Sequence, residues 1–138
     1  MTGTSPSVVD ANIIVRFLVR DDEALYARAA GIMEEIREAR MSAVLPDIVI
    51  AECVFVLQRI YKVSRSDIAE SLRTILRFRG VLTGDVPRLI AALDTFETRN
   101  VSIVDSMCLA IASERGWGLQ TFDVKLAKLA KGTAGPRR

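Results

Sequence analysis

The sequence predicts an α/β domain: a central parallel sheet of four to five short strands, flanked by helices on both faces. Three observations lead there. Short apolar runs alternate with longer segments of helical period, the pattern of strands joined by helical crossovers. Half of the residues are apolar but only 6% are aromatic. The core is therefore Ala, Val, Ile and Leu, which suits helices on a buried sheet better than a sandwich. Finally, 138 residues make one domain, with enough chain to bury a core. Residues 7–130 form its expected folded part, and 1–6 and 132–138 its flexible ends.

Taken in order, Ser7–Asp10 reads as a short buried strand, and Asn12–Val19 as a helix closed by Asp21-Asp22. Ala24–Ala39 is helical, with Leu25, Ala29, Ile32, Met33 and Ile36 on one face and Arg28 mostly elsewhere. Ser42–Leu45 is a second strand, broken by Pro46-Asp47, a pair suited to capping the next helix. Ile48–Tyr61 is apolar almost all round and predicts a central helix. Ser64–Arg79 opens on a capping-box pattern and turns Ile68, Leu72, Ile75 and Leu76 inward. Val81–Thr83 is a third strand. A helix opens at Gly84–Pro87 and runs to Thr98 with Leu89, Ile90, Leu93 and Phe96 inward. Ser102–Arg115 is a further helix, Gly118–Phe122 a fourth strand, and Val124–Lys131 the last helix.

Composition removes several chemistries. There is no histidine, which excludes Ser-His-Asp and Cys-His sites, His-ligated zinc and paired-His ribonuclease chemistry. Cys53 and Cys108 sit in apolar runs and read as buried free thiols of a reducing compartment. The longest apolar run, Ile48–Leu57, is broken by Glu52 and too short to span a bilayer. Met1–Ser7 has neither a positive charge nor a hydrophobic stretch. A cytoplasmic protein with no membrane partner is the expectation.

Of the 17 acids, most fall on helix starts, polar faces or turns. Four do not. Asp10 ends the run Val8-Val9, and Glu52 lies among Ile48, Val49, Phe55 and Val56. Asp105 lies within Val101–Leu109, and Asp123 ends Gly118–Phe122. Asp10 and Asp123 both close predicted strands, so in a parallel sheet they share an edge, where ligands of such folds bind. Two carboxylates about 5 Å apart cost on the order of 3 kcal/mol at an effective dielectric of 20. A cluster of four would either shift its pKa values upward and partly neutralise, or recruit cations. All-oxygen ligands favour Mg²⁺ or Mn²⁺. A pair of such ions about 3.5–4 Å apart suits phosphodiester cleavage, one activating water and the other steadying the leaving oxygen. Setting the four aside leaves 13 acids against 19 Lys and Arg, a balance of +6 that suits a polyanion.

Each acid also has a structural explanation. Asp10 and Asp123 suit helix caps, Glu52 an ion pair with Arg59 or another arginine, and Asp105 a capping box with Ser102. Asn12 either binds metal-bound water or begins a helix, and Thr121 either orients Asp123 or favours a strand. Arg16 is a candidate phosphate contact, with a structural role as its rival. Lys125, Lys128 and Lys131 read as a solvated helix face, with RNA contact as the alternative. Trp117 reads as a packing anchor.

Four segments together carry a family resemblance. Val8–Leu18 resembles the opening of PIN domains, most closely toxins of the virulence-associated protein C (VapC) kind. Pro46–Glu52 is similar to the second motif of that family, Val104–Ala110 to the third and Thr121–Leu126 to the last. The resemblance implies a PIN-like fold and Mg²⁺- or Mn²⁺-dependent RNA cleavage. Asp10, Glu52, Asp105 and Asp123 would be catalytic and metal-binding, with Asn12 and Thr121 in support. It also implies a homodimer, a cognate antitoxin protein, and operator DNA bound only through that antitoxin. Ser102 stands where many relatives carry a further acid, which predicts a weaker second metal site.

The chain is therefore read as the endoribonuclease toxin of a toxin–antitoxin pair. A catalytically silent PIN-like scaffold and an aspartate-based phosphatase or receiver domain are the alternatives. The phosphatase would want Asp where Asn12 stands, and the receiver an acidic pair just after the first strand. A nucleotide-cofactor enzyme would need a Gly-rich turn after that strand, and the sequence has none there.

Overall fold

The computed structural model describes residues 5–82 and 84–134. Ends 1–4 and 135–138, and Thr83 of the expected third strand, lie outside the described residues. The elements are β1 (Ser7–Val8), α1 (Ala11–Leu18), α2 (Glu23–Arg37), β2 (Ala43–Val44), α3 (Asp47–Arg59), α4 (Arg65–Leu76), α5 (Val86–Arg99), α6 (Ile103–Arg115) and α7 (Val124–Ala134). They fall into two compact units divided between Val86 and Pro87.

In the first unit β1 and β2 run parallel, pairing Ser7 with Ala43 and Val8 with Val44. Asp10 ends the extended run at once, because its carboxylate accepts the Ala11 N–H at 2.8 Å and starts α1. Asp22 caps α2 through the Leu25 N–H, and Ser64 caps α4 through the Asp67 N–H. Pro46 occupies the N-cap of α3 without a side-chain bond, and Asp47 is its first helical residue. Helix α1 packs on α2 and α3, and α3 on α4. The fully buried side chains include Ile14, Met33, Ile36, Ile50, Ile68 and Leu72.

In the second unit α6 packs on α7. Leu89, Leu93, Phe96 and Ile103 are buried. Ser102 caps α6 through the Asp105 N–H, and Gly116, at φ 69°, ends it in the left-handed conformation that glycine adopts without strain.

The helices match the periodicity closely, but the sheet does not reach four strands. Among the described residues it has two. Val81 makes only an isolated parallel bridge to Ala43, flanked by Ala43 N–H to Gly80 O at 2.8 Å and Leu82 N–H to Ala43 O at 2.9 Å. Residues 118–122 form no strand. The Asp123 N–H is held locally by Thr121 Oγ1 at 3.0 Å, a bond that competes with a ladder. That stretch also has no buried residue to seat on a sheet.

Three further expectations are corrected. Helix α3 is not buried all round: Ile48 and Phe55 are exposed, because only the face of Ile50, Cys53, Val54 and Leu57 meets the core. Cys108 is exposed, while Cys53 is a buried thiol as expected. Trp117 is 56% exposed and packs under the Arg115 guanidinium, so it anchors no core. Helix α7 runs to Ala134.

Candidate functional site

Two of the four singled-out acids, Asp10 and Glu52, belong to the first unit, each next in sequence to a residue of one contact between α1 and α3. Cys53 of α3 lies against the start of α1, its thiol 3.9 Å from the Ala11 carbonyl. That contact ties the residue after Glu52 to the residue after Asp10. Both carboxylates act on the Cys53 thiol. Burial pushes its pKa up to about 12, and the charges of Glu52 and then Asp10 add to that, against a smaller opposing backbone hydrogen bond. The local reason is helical: burying Cys53 turns its neighbour Glu52 away from the core, and Glu52 is exposed.

Glu52 makes no ion pair among the described residues. Arg59, the partner in the rival ion-pair reading, lies 5.6 Å from the centre of the Phe55 ring. Asp10 uses one oxygen on the Ala11 N–H, which satisfies its cap role and leaves the second oxygen without a protein donor among the described residues. Asn12 stands exposed in the first turn of α1.

A cleft of about 150 Å³ gathers Asn12, Arg16, Glu52, Val56 and Tyr61. Arg16 Nη1 pairs with Asp21 Oδ1 at 3.0 Å, and the Tyr61 hydroxyl donates to Asp21 Oδ2 at 2.9 Å. One carboxylate thus orients two side chains that line the cleft. A second cleft, of about 310 Å³, is lined by Asn12 and Arg16 of α1 and by Leu25, Arg28 and Ile32 of α2. Sequence reasoning missed Asp21, Tyr61 and Arg28. Arg28 is placed one turn from Ile32 and three residues from Leu25, a signal that the periodicity did contain. Asp21 and Tyr61 are 40 residues apart and carry no common signal.

Asp105 and Asp123 belong to the second unit. Asp105 sits half-buried in the first turn of α6. Its N–H donates to Ser102 Oγ at 3.1 Å, but its carboxylate does not complete the reciprocal bond of a capping box. Asp123 Oδ1 accepts the Leu126 N–H at 2.9 Å, so this acid does cap α7. Thr121 Oγ1 accepts the Asp123 backbone N–H at 3.0 Å and does not touch the carboxylate. Lys125 donates to the Asn100 carbonyl at 3.1 Å, holding a residue whose φ of 56° is left-handed. The expectation that Asp10 and Asp123 end strands of one sheet has no strand before Asp123 to rest on.

Three residues of the first unit carry oxygen donors of the type that hard divalent cations take. The donors are the carboxylate oxygens of Asp10 and Glu52 and the amide oxygen of Asn12, and the nearest sulfur is kept as a neutral thiol. Among the described residues, no group of three or more Cys, Asp or Glu side chains is arranged to hold a metal ion. No helix among the described residues is long and apolar enough to cross a membrane.

Comparison with known proteins gives one match. The family profile described as PIN domain matches residues 7–132. No curated protein and no solved structure matches the chain.

Proposed function

The chain belongs to the PIN-domain family, and from that premise we propose that it is an Mg²⁺- or Mn²⁺-dependent endoribonuclease acting as the toxin of a toxin–antitoxin pair. The family is α/β and its members are generally nucleases, so a hydrolase of nucleic acid is the reading that membership supports. RNA as substrate, the metal and the toxin role are our own reading. The observation that carries it is the PIN-domain match over residues 7–132, supported by the Ala11–Cys53 contact that Asp10 and Glu52 each adjoin in sequence, with no cation pairing Glu52 among the described residues.

Asp10, through its unused oxygen, and Glu52 would hold the ion, with Asn12 beside them. Asp105 and Asp123 are assigned to the same reaction by the motifs they stand in. Bound there, Mg²⁺ or Mn²⁺ supplies a water of lowered pKa and positive charge for the phosphate oxygens. Water adds across the P–O3′ bond, its oxygen joining phosphorus while the 3′ oxygen leaves with a proton. The products are a 3′-hydroxyl and a 5′-phosphate. Arg16, oriented by Asp21, presents its remaining N–H donors to a phosphate in the cleft. The family resemblance supports a homodimer in the cytoplasm, inhibited by a cognate antitoxin through which alone the pair meets operator DNA.

The test is cleavage of a mixed tRNA and ribosomal RNA pool with Mg²⁺ or Mn²⁺, alongside chelator and Asp10→Asn. Discrete cuts with 5′-phosphate ends that need both the metal and Asp10 are expected. Undiminished cleavage in chelator or in Asp10→Asn overturns the mechanism. A silent scaffold is the second reading, favoured by the lack of a three-acid metal group among the described residues. Calorimetry showing no Mg²⁺ or Mn²⁺ binding to folded protein, together with no cleavage, would establish it.

A further inference from the structure

Phe122 is the most exposed large apolar residue described, at 106% relative exposure. Folding forgoes the hydrophobic gain of burying that ring. The chain on its C-terminal side is held in place. The Asp123 N–H is bound to Thr121 Oγ1 at 3.0 Å and Asp123 Oδ1 accepts the Leu126 N–H at 2.9 Å. The ring thus stands out from a backbone already ordered, which lowers the cost of binding to it. It borders a cleft of about 280 Å³ shared with Asp123, Val124, Ala127, Lys128 and Lys131. It also borders a second hollow of about 210 Å³ beside Gln120.

The charge beside it has one sign. Helix α7 carries Lys125, Lys128 and Lys131 and no acid between residues 124 and 134. Lys125 spends a donor on the Asn100 carbonyl but keeps its charge. Lys128 and Lys131 are without an ion-pair partner among the described residues.

We propose that Phe122, Lys128 and Lys131 form a binding surface for single-stranded RNA, with a base stacked on the Phe122 ring and the two lysines on its phosphates. A free aromatic face next to uncompensated lysines is what unpaired nucleic acid requires, since every base has a π-face and every linkage a negative charge. A duplex keeps its bases stacked on one another and offers the ring nothing. Asp123 lines the same cleft, so RNA held here lies beside an acid of the proposed reaction. The proposal rests on the ribonuclease reading and names how that substrate is gripped.

The test is fluorescence anisotropy of a random-sequence single-stranded oligoribonucleotide pool, in chelator, against the full chain. Phe122→Ala is expected to weaken binding about five- to 150-fold. The double variant Lys128→Gln/Lys131→Gln is expected to lower the slope of log K against log salt by about 1.4. Both sites are exposed, so circular dichroism and melting of the variants should match the parent. The proposal is overturned if the parent binds no RNA, if Phe122→Ala binds within about twofold of the parent, or if a duplex competes as well as a single strand.

Cleavage of the RNA pool with metal, run in parallel, separates the two claims. Metal-dependent cleavage with binding indifferent to Phe122 removes this surface and leaves the ribonuclease. Phe122-dependent binding without cleavage by the parent does the reverse.

Discussion

Tyr61 donates its phenolic hydrogen to Asp21 Oδ2 at 2.9 Å, joining the end of α3 to the turn after α1. The bond raises the Tyr61 pKa above its ordinary value of 10.0. The hydrogen bond to Asp21 is the main cause, slight desolvation and the Asp21 charge add to it, and Arg16 opposes it. The folded state therefore holds this proton more tightly than the unfolded chain. Its contribution to stability is whole below the ordinary value and is lost as pH rises through the raised one. Phenolate absorbance, taken as the difference between the parent and Tyr61→Phe, should titrate above 10. Asp21→Ala should bring that component down, and a component at 10 or below in the parent would contradict the bond.

Asp10 and Asp123 each serve as a helix cap and as a candidate ligand, and two substitutions separate these roles. Asn caps about as well as Asp, whereas Ala costs about 1 kcal/mol at an N-cap. Urea unfolding should find Asp10→Asn and Asp123→Asn within about 0.5 kcal/mol of the parent and the alanine variants about 1 kcal/mol weaker. RNA cleavage should fall at least about 100-fold in all four. Activity retained in the asparagine variants would reduce these acids to caps.

Gly80 admits no side chain. A Cβ there would stand 2.2 Å from the Met41 carbonyl oxygen and 2.5 Å from that of Ile36, both backbone atoms that cannot swing away. Its own N–H bonds to Ile36 O at 2.8 Å. Gly80→Ala should lose about 3 kcal/mol in denaturant unfolding, and a loss below about 1 kcal/mol would show that the turn yields.

The two thiols should differ in access. Cys53 is fully buried and Cys108 is exposed. A thiol reagent under native conditions should label one cysteine promptly, assigned to Cys108 by peptide mapping. Cys53 should react only after unfolding, and native labelling of Cys53 would show that the α1–α3 contact opens.

The helices of the described residues were legible in the sequence because their signals are local. The 3.6-residue spacing of Ile68, Leu72, Ile75 and Leu76, and the caps Ser64 and Ser102, act within one or two turns of chain. The four acids stood out for the same reason: each breaks an apolar run that can be read in place. Strand pairing is not local. Residues 118–122 have strand-like composition, yet a strand exists only where a partner edge accepts its backbone groups. Here Thr121 took the Asp123 N–H instead. Exposure also escaped the sequence, since Phe122, Trp117 and Cys108 look as apolar as any core residue until neighbouring elements are in place.

By itself, then, the sequence determined the helices, the family motifs and the identity of the candidate acids. Only the tertiary structure decided that Cys53 packs against Ala11, that Asp21 gathers Arg16 and Tyr61, and that Phe122 stands in solvent. Those outcomes depend on which surfaces meet across long stretches of chain, where packing and loop closure, rather than local propensity, set the free energy.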